Sequence, residues 1–171
     1  MPGGMMYDRR ITGSGDRIMT QKEVIELLKK GRGFAKRTKF KEALAYYDKA
    51  ITLDPKFAES WYLRATVYAE TGRYKEAVAD CDKALSIDPH YADAWTRKSV
   101  VLYNLERFED SLAASTRASS LNGNDVTAWY MKGVCLDELG RSDEAQEAYG
   151  RSLELEIILD MKAEQDRIKR R

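Results

Sequence analysis

Few residues in this chain have the type and spacing that chemistry demands, and each has a structural reading beside the catalytic one. The single histidine, His90, follows Pro89 among turn-forming residues, with no nucleophile or second base in the sequence pattern to work with it. Asp80-Cys81-Asp82 has the D-x-D form of a metal motif. Residues two apart on a helix diverge by about 200°, however, so the two carboxylates cannot converge on one ion. Cys81 and Cys135 lack C-x-x-C spacing and read as core filler in a reducing compartment. Gly13-Ser14-Gly15 precedes no apolar strand, the context a phosphate loop requires. The chain is therefore expected to be non-catalytic, with no cofactor and no metal site.

Binding chemistry is the alternative, and the bulk numbers narrow it. Lys and Arg number 29 against 28 for Asp and Glu in 171 residues, so the whole molecule has no net attraction to nucleic acid or an anionic membrane. No apolar run approaches the ~20 residues of a membrane span, and the first residues lack the apolar core of a signal peptide. The expected location is the cytoplasm. One local exception is Gly31 to Lys41, "GRGFAKRTKFK", where cations interleave with Phe34 and Phe40. Both phenylalanines fall in core columns described next. What remains is a basic patch that would bind nucleic acid weakly and lose affinity steeply with salt.

The elements that would position any site repeat themselves. "EALAYYDKAITLDP", Glu42 to Pro55, returns as "EAVADCDKALSIDP", Glu76 to Pro89. A shift of 34 residues aligns Leu27, Trp61, Trp95 and Trp129 in one column and Gly31, Ala65, Ser99 and Gly133 in another. Phe34, Tyr68, Leu102 and Leu136 form a third, and Phe40, Tyr74 and Phe108 a fourth. Ala43, Ala77, Ser111 and Ala145 follow, then Ala50, Ala84, Ala118 and Ser152. Pro55 and Pro89, each preceded by Asp, stop a helix; the third copy uses "LNGND", Leu121 to Asp125.

Within one copy, Trp61, Ala65 and Tyr68 recur at helical spacing on a first helix of about Ala58 to Thr71, and Gly72 breaks it. Tyr74, Ala77, Cys81 and Ala84 mark a second helix, with Ala65 and Ala77 small enough for close approach. Such a hairpin cannot cover both apolar faces alone, so the copies must stack. With the tryptophans taken as buried, truncating Trp61 or Trp95 to Ala is expected to cost ~3–5 kcal/mol.

These columns resemble the tetratricopeptide repeat family over roughly Val24 to Leu159. The resemblance implies an all-α, right-handed α-α superhelical solenoid of four helix-turn-helix repeats, at about residues 24–57, 58–91, 92–125 and 126–159. The third copy departs from the pattern with Glu106 for the turn Gly and Gly123 for Pro; the fourth has Ser142 for the aromatic and Ile157 for Pro. Residues 1–19 are Gly-rich, aperiodic and expected disordered, with the first helix starting near Gln21 in the capping-box pattern Thr20-Gln21-Lys22-Glu23. From Glu154 to Arg171 the chain reads either as a prolonged last helix or as a separate C-terminal capping helix or basic tail, residues 160–171.

Proteins of this family are similar in lining a concave groove with their first helices, which implies a protein or peptide ligand. One residue beyond the Trp column lies about 100° around the helix. The stripe so defined carries Arg32 and Lys36 in copy one; Glu59, Tyr62, Thr66 and Glu70 in copy two; Asp93, Arg97, Val100 and Asn104 in copy three; and Tyr130, Val134 and Asp137 in copy four. Leu28, Thr96, Thr127 and Glu138 belong to the same stripe. Tyr62 and Tyr130 offer apolar area with a polar tip, suited to binding. Copy one is rich in cations and copy four in carboxylates, which would orient a ligand, or bring opposite ends of two molecules together as a homo-oligomer. The subclass that clamps the terminal carboxylate of heat-shock chaperones is matched only at Arg97. Leu28, Arg32, Leu63 and Asp93 occupy its other positions, so no clamp of that type is expected. An Asn ladder, used by another subclass, is replaced by Lys29, Leu63, Arg97 and Met131.

Overall fold

The computed structural model describes residues 14–170, which form eight α-helices and no strand among the described residues. They run α1 (Ser14–Ala35), α2 (Phe40–Leu53), α3 (Ala58–Glu70), α4 (Tyr74–Ile87), α5 (Ala92–Asn104), α6 (Phe108–Leu121), α7 (Val126–Glu138) and α8 (Ser142–Lys169). Each odd helix packs on the even helix after it, and each even helix on the next odd one. Across repeats, α1 also touches α3, α3 touches α5 and α5 touches α7, whereas the even helices do not touch one another. A row whose members touch lies on the inside of a curve. The odd helices therefore line the concave face and the even helices the outer one.

The columns explain this packing residue by residue. Gly31 faces Tyr47: a Cβ added at Gly31 would sit 2.4 Å from the buried ring. Gly133 faces Tyr149 in the same way, at 2.6 Å. At the same two register positions Ala65 is matched with Cys81, and Ser99 with Ser115, all buried. Large side chains thus stand opposite the smallest ones, which keeps each pair's summed volume within what a close-packed interior accepts.

Turns and stops are equally physical. Asp54, Asp88 and Asn122 end the even helices, and their side chains accept the N–H two residues on, at 2.9, 2.9 and 3.2 Å. The tryptophans then tie each stop to the next odd helix. The indole N–H groups of Trp61, Trp95 and Trp129 donate to the carbonyls of Pro55, Pro89 and Gly123, each at 3.0 Å. These rings are half-buried rather than buried, since one edge must remain where the indole reaches its carbonyl. The expected truncation cost falls accordingly, to ~2–3 kcal/mol of lost area and one hydrogen bond.

The N-terminal end departs from expectation, and the C-terminal end takes the first of its two readings. Helix α1 begins at Ser14, not near Gln21, so the capping-box residues lie within it. Of the segment expected to be disordered, residues 14–19 are helical and residues 1–13 lie outside the described residues. At the other end α8 is one helix of 28 residues and packs on α7 alone. No Pro or Gly interrupts it after Gly150. Its buried residues end at Leu155, and Ile157, Leu159, Met161 and Ile168 are exposed. Residues 160–169 therefore prolong the last repeat's second helix instead of folding back as a separate cap.

Candidate functional site

The concave row gathers six of the expected residues into one recess. Tyr62 from α3, Asp93, Arg97 and Val100 from α5, with Thr96, Asp125 and Thr127, line a cavity of about 240 Å³. It sits where α3, α5 and the start of α7 approach. The floor is fixed by Asp125, which caps α7: one carboxylate oxygen accepts the Ala128 N–H at 3.0 Å and the other the Thr96 hydroxyl at 2.6 Å. Tyr62 packs against Tyr91 with ring centroids 5.0 Å apart, and burial pushes the Tyr91 phenol above its ordinary range. Asp93 is exposed and Arg97 half-buried beside it, so the recess offers an acceptor, a donor fork and an aromatic edge within one residue's reach.

Toward the first repeat, Arg32 and Glu59 are ion-paired to each other across α1 and α3. Lys36 and Glu70 stand exposed at the helix ends. Toward the fourth repeat, Tyr130 is 53% exposed and its ring lies 5.8 Å from that of Tyr149. Tyr149 donates its hydroxyl to Asp137 at 3.0 Å; burial, then this bond, push its phenol up to about 12. Tyr103 donates to Glu138 at 3.0 Å, which raises its phenol too. Val134 is half-buried on α7. Two expected residues turn to their own backbone: the Thr66 hydroxyl donates to Tyr62 at 3.0 Å, and the Asn104 amide to Val100 at 2.7 Å. Leu28, placed in the stripe by the sequence, is only 2% exposed and belongs to the core.

The residues suspected of chemistry are held elsewhere. Asp80 is buried and bonded by Arg64, while Asp82 is exposed and paired with Lys98. Cys81 is fully buried, and burial pushes its thiol up to about 12. Cys135 is buried as well, 3.0 Å from the Ser111 hydroxyl. Among the described residues no group of three His, Cys, Asp or Glu side chains could hold a metal, and no helix is long and apolar enough to cross a membrane. Phe34 stacks on Tyr46 at 5.4 Å and packs against the core with Phe40.

Profiles of the tetratricopeptide repeat match residues 28–92 and 126–156. The solved structure of YrrB, described as a tetratricopeptide protein with an unusual peptide-binding site, is 32% identical over 82% of this chain and 73% of its own, with a TM-score of 0.70. The chain belongs to the tetratricopeptide repeat family. Other members share its fold at lower identity. MamA is 20% identical with a TM-score of 0.74, covering 90% of this chain and 99% of its own. The first repeat domain of Spaghetti (RPAP3), solved with the HSP90 peptide SRMEEVD, is 24% identical with a TM-score of 0.68, covering 70% and 94%. No curated protein matches the sequence. Residues 93–125 fall between the two profile matches; they contain the third repeat of this tetratricopeptide protein, whose turn residue is Glu106.

Sequence reasoning missed Tyr91, Tyr103, Asp125 and Tyr149. Asp125 had been read only as part of a helix stop, yet its position one residue before α7 is that of an N-cap, a signal that could have placed its carboxylate at the groove. Tyr91 and Tyr149 lie outside the Trp-plus-one stripe, whereas Tyr103 stands 34 residues before Asp137, a stripe residue, so the register could have found it.

Proposed function

We propose that this chain is a non-catalytic interaction module that holds an extended peptide of a partner protein in its concave groove and serves as an adaptor or scaffold. The observation that carries this reading is the recess where Tyr62, Asp93, Arg97 and Val100 meet Asp125. It presents apolar area beside donor and acceptor side chains. YrrB, with its peptide-binding site, and Spaghetti, with its bound peptide, lend support by family. The exposed cations of the first repeat and carboxylates of the fourth give the groove a direction, with the acidic part of a ligand toward α1. A chaperone-tail carboxylate clamp is not part of the proposal, because Leu28 is buried where the clamp needs a cation and Asp93 would repel the anion.

The test is affinity capture from a lysate of the source cell with the wild-type chain and the variant Tyr62→Ala/Arg97→Glu/Tyr130→Ala, both checked for equal helicity. A protein retained by the wild type and lost with the variant is expected. Identical captures, or recovery of nothing but copies of the bait, would remove the groove from the account.

A further inference from the structure

The opposite side of α5 carries a second recess. Thr96, Arg97 and Val100 face the groove; Trp95, Lys98 and Leu102 lie about 180° away around the helix. With Arg107 and with Asp110, Ala114 and Arg117 of α6, they line an open cavity of about 390 Å³ on the outer side.

The second repeat shows what belongs there. Its residues at the same register are Trp61, Arg64, Tyr68, Asp80 and Lys83. Arg64 grips the Asp80 carboxylate with two hydrogen bonds, at 2.7 and 2.8 Å, and bonds Asp48 at 2.7 Å. Its guanidinium lies 5.0 Å from the Trp61 ring and 5.6 Å from that of Tyr68. A carboxylate, a cation and two aromatic faces thus fill the space. In the third repeat the cation and the indole remain, as Lys98 Nζ lies 5.2 Å from the Trp95 ring. The other two partners shrink: Tyr68 becomes Leu102, and Asp80 becomes Ala114.

The cations left there are under-matched. Lys98 keeps one carboxylate, Asp82 at 2.7 Å, where Arg64 holds two. Arg117 makes no ion pair among the described residues; its counterpart in the fourth repeat, Arg151, is bonded to Glu154 at 2.5 Å, and three residues beyond Arg117 stands Ser120. Arg107 is tied to Asp110 by an i,i+3 pair that Arg73 and Arg141 also make with Glu76 and Glu144, so it is a constant of the scaffold. The missing component is a carboxylate on a short apolar stem.

We propose that this outer recess is a second binding site, which takes a Glu or Asp side chain of a partner protein into the place that Asp80 fills in the second repeat. The carboxylate lies between Lys98 and Arg117, and its methylene stem packs on Trp95 and the exposed Ala113, above the buried Leu102 and Ala114. The site is independent of the groove, because the two recesses use opposite sides of α5.

Titration of the full chain with acetyl-Ala-Leu-Glu-Leu-Ala-amide, followed by the indole N–H signals of the three tryptophans, tests this directly. The Trp95 signal should shift to saturation while those of Trp61 and Trp129 stay in place, and the Gln counterpart of the peptide should bind at least about tenfold more weakly, the worth of one charge-assisted bond. Lys98→Gln/Arg117→Gln should abolish the response. Ala114→Asp should do so by supplying the carboxylate internally, with unchanged or raised thermal stability as evidence of folding. Tyr62→Ala/Arg97→Glu should leave the response intact. Equal binding of the Gln peptide, or a response that survives Ala114→Asp or disappears with the groove variant, would overturn the proposal. Displacement of the peptide by inorganic phosphate at equal concentration would reassign the recess to phosphate. A Trp95 signal that moves with protein concentration alone would reassign it to a second copy of the chain.

Discussion

The second and third repeats share their columns, yet they close their interiors with different chemistry. The second holds one nearly buried ion pair, Asp80 at 6% and Arg64 at 18% side-chain exposure, and matches Ala65 with Cys81. The third keeps Lys98 on the exposed Asp82, has Ala114 where the second has Asp80, and fills its interior with hydroxyls. Ser99, Ser111, Ser115 and Ser119 are all buried, and each donates to a main-chain carbonyl at 2.7–3.1 Å. Hydroxyls satisfied by backbone cost little to bury but bring small apolar area. The lesson is that the repeat columns constrain volume and helix geometry and leave the interior polar chemistry free. A solenoid can therefore keep its shape while individual repeats differ in rigidity and in what they display.

The sharpest way to break this comparison is to remove the ion pair. Asp80→Ala is expected to lose about 3 kcal/mol of stability in urea unfolding, because Arg64 is left partly buried with only Asp48 as partner. Lys98→Ala, which breaks the third repeat's pair with Asp82 at the register of Arg64, should cost less than about 1 kcal/mol. Equal losses would mean that the two interiors are energetically alike.

A smaller effect lies in the turns. Gly72 has φ +73° and Gly140 +72°, but Glu106 adopts +58° with a side chain that disfavours it. Glu106→Gly should gain about 0.5–1 kcal/mol, the left-handed penalty less the entropy of glycine. Gly72→Ala should lose about 1 kcal/mol by the same argument. Thermal unfolding of both variants would separate turn strain from interior packing.

The least effect at neutral pH comes from Cys81, whose counterpart in the third repeat is Ser115. Burial raises the folded thiol to about 12. Its contribution is therefore fully present below the ordinary thiol value of about 8.5 and is lost as pH rises toward the folded one. The wild type should decline in stability above about pH 9 more steeply than Cys81→Ser, which has no thiol to ionise. Parallel alkaline profiles would show that Cys81 ionisation plays no part.

Much of the fold was legible because it rests on columns that recur every 34 residues. Helix pairs, the turn at Gly72, and stops at Asp54 and Asp88 all follow from residue type at fixed spacing. What escaped was pairing between columns. Nothing in the spacing says that Arg64 reaches Asp80 and Asp48, or that Gly31 is small because Tyr47 is large. The groove was half legible for the same reason. A stripe one residue past the tryptophans found Tyr62, Asp93, Thr96, Arg97, Val100 and Thr127, whereas Asp125 enters the recess, and Tyr91 backs Tyr62, from just before a helix, where helical angles no longer apply. Leu28 shows the opposite error: it shares the register of Tyr62, yet it is buried in the core cluster with Val24 and Tyr47.

The touching of odd helices and the separation of even ones has a mechanical consequence. A row in contact resists compression, while a row held apart can open or close with little loss of packing. The array is therefore stiff along its inner spine and compliant along its outer edge, like a hinge strip with the pin on the concave side. Bending that changes the pitch of the coil would draw α2, α4, α6 and α8 together or apart. Load on the outer edge would thus be felt along the inner wall as a change of curvature.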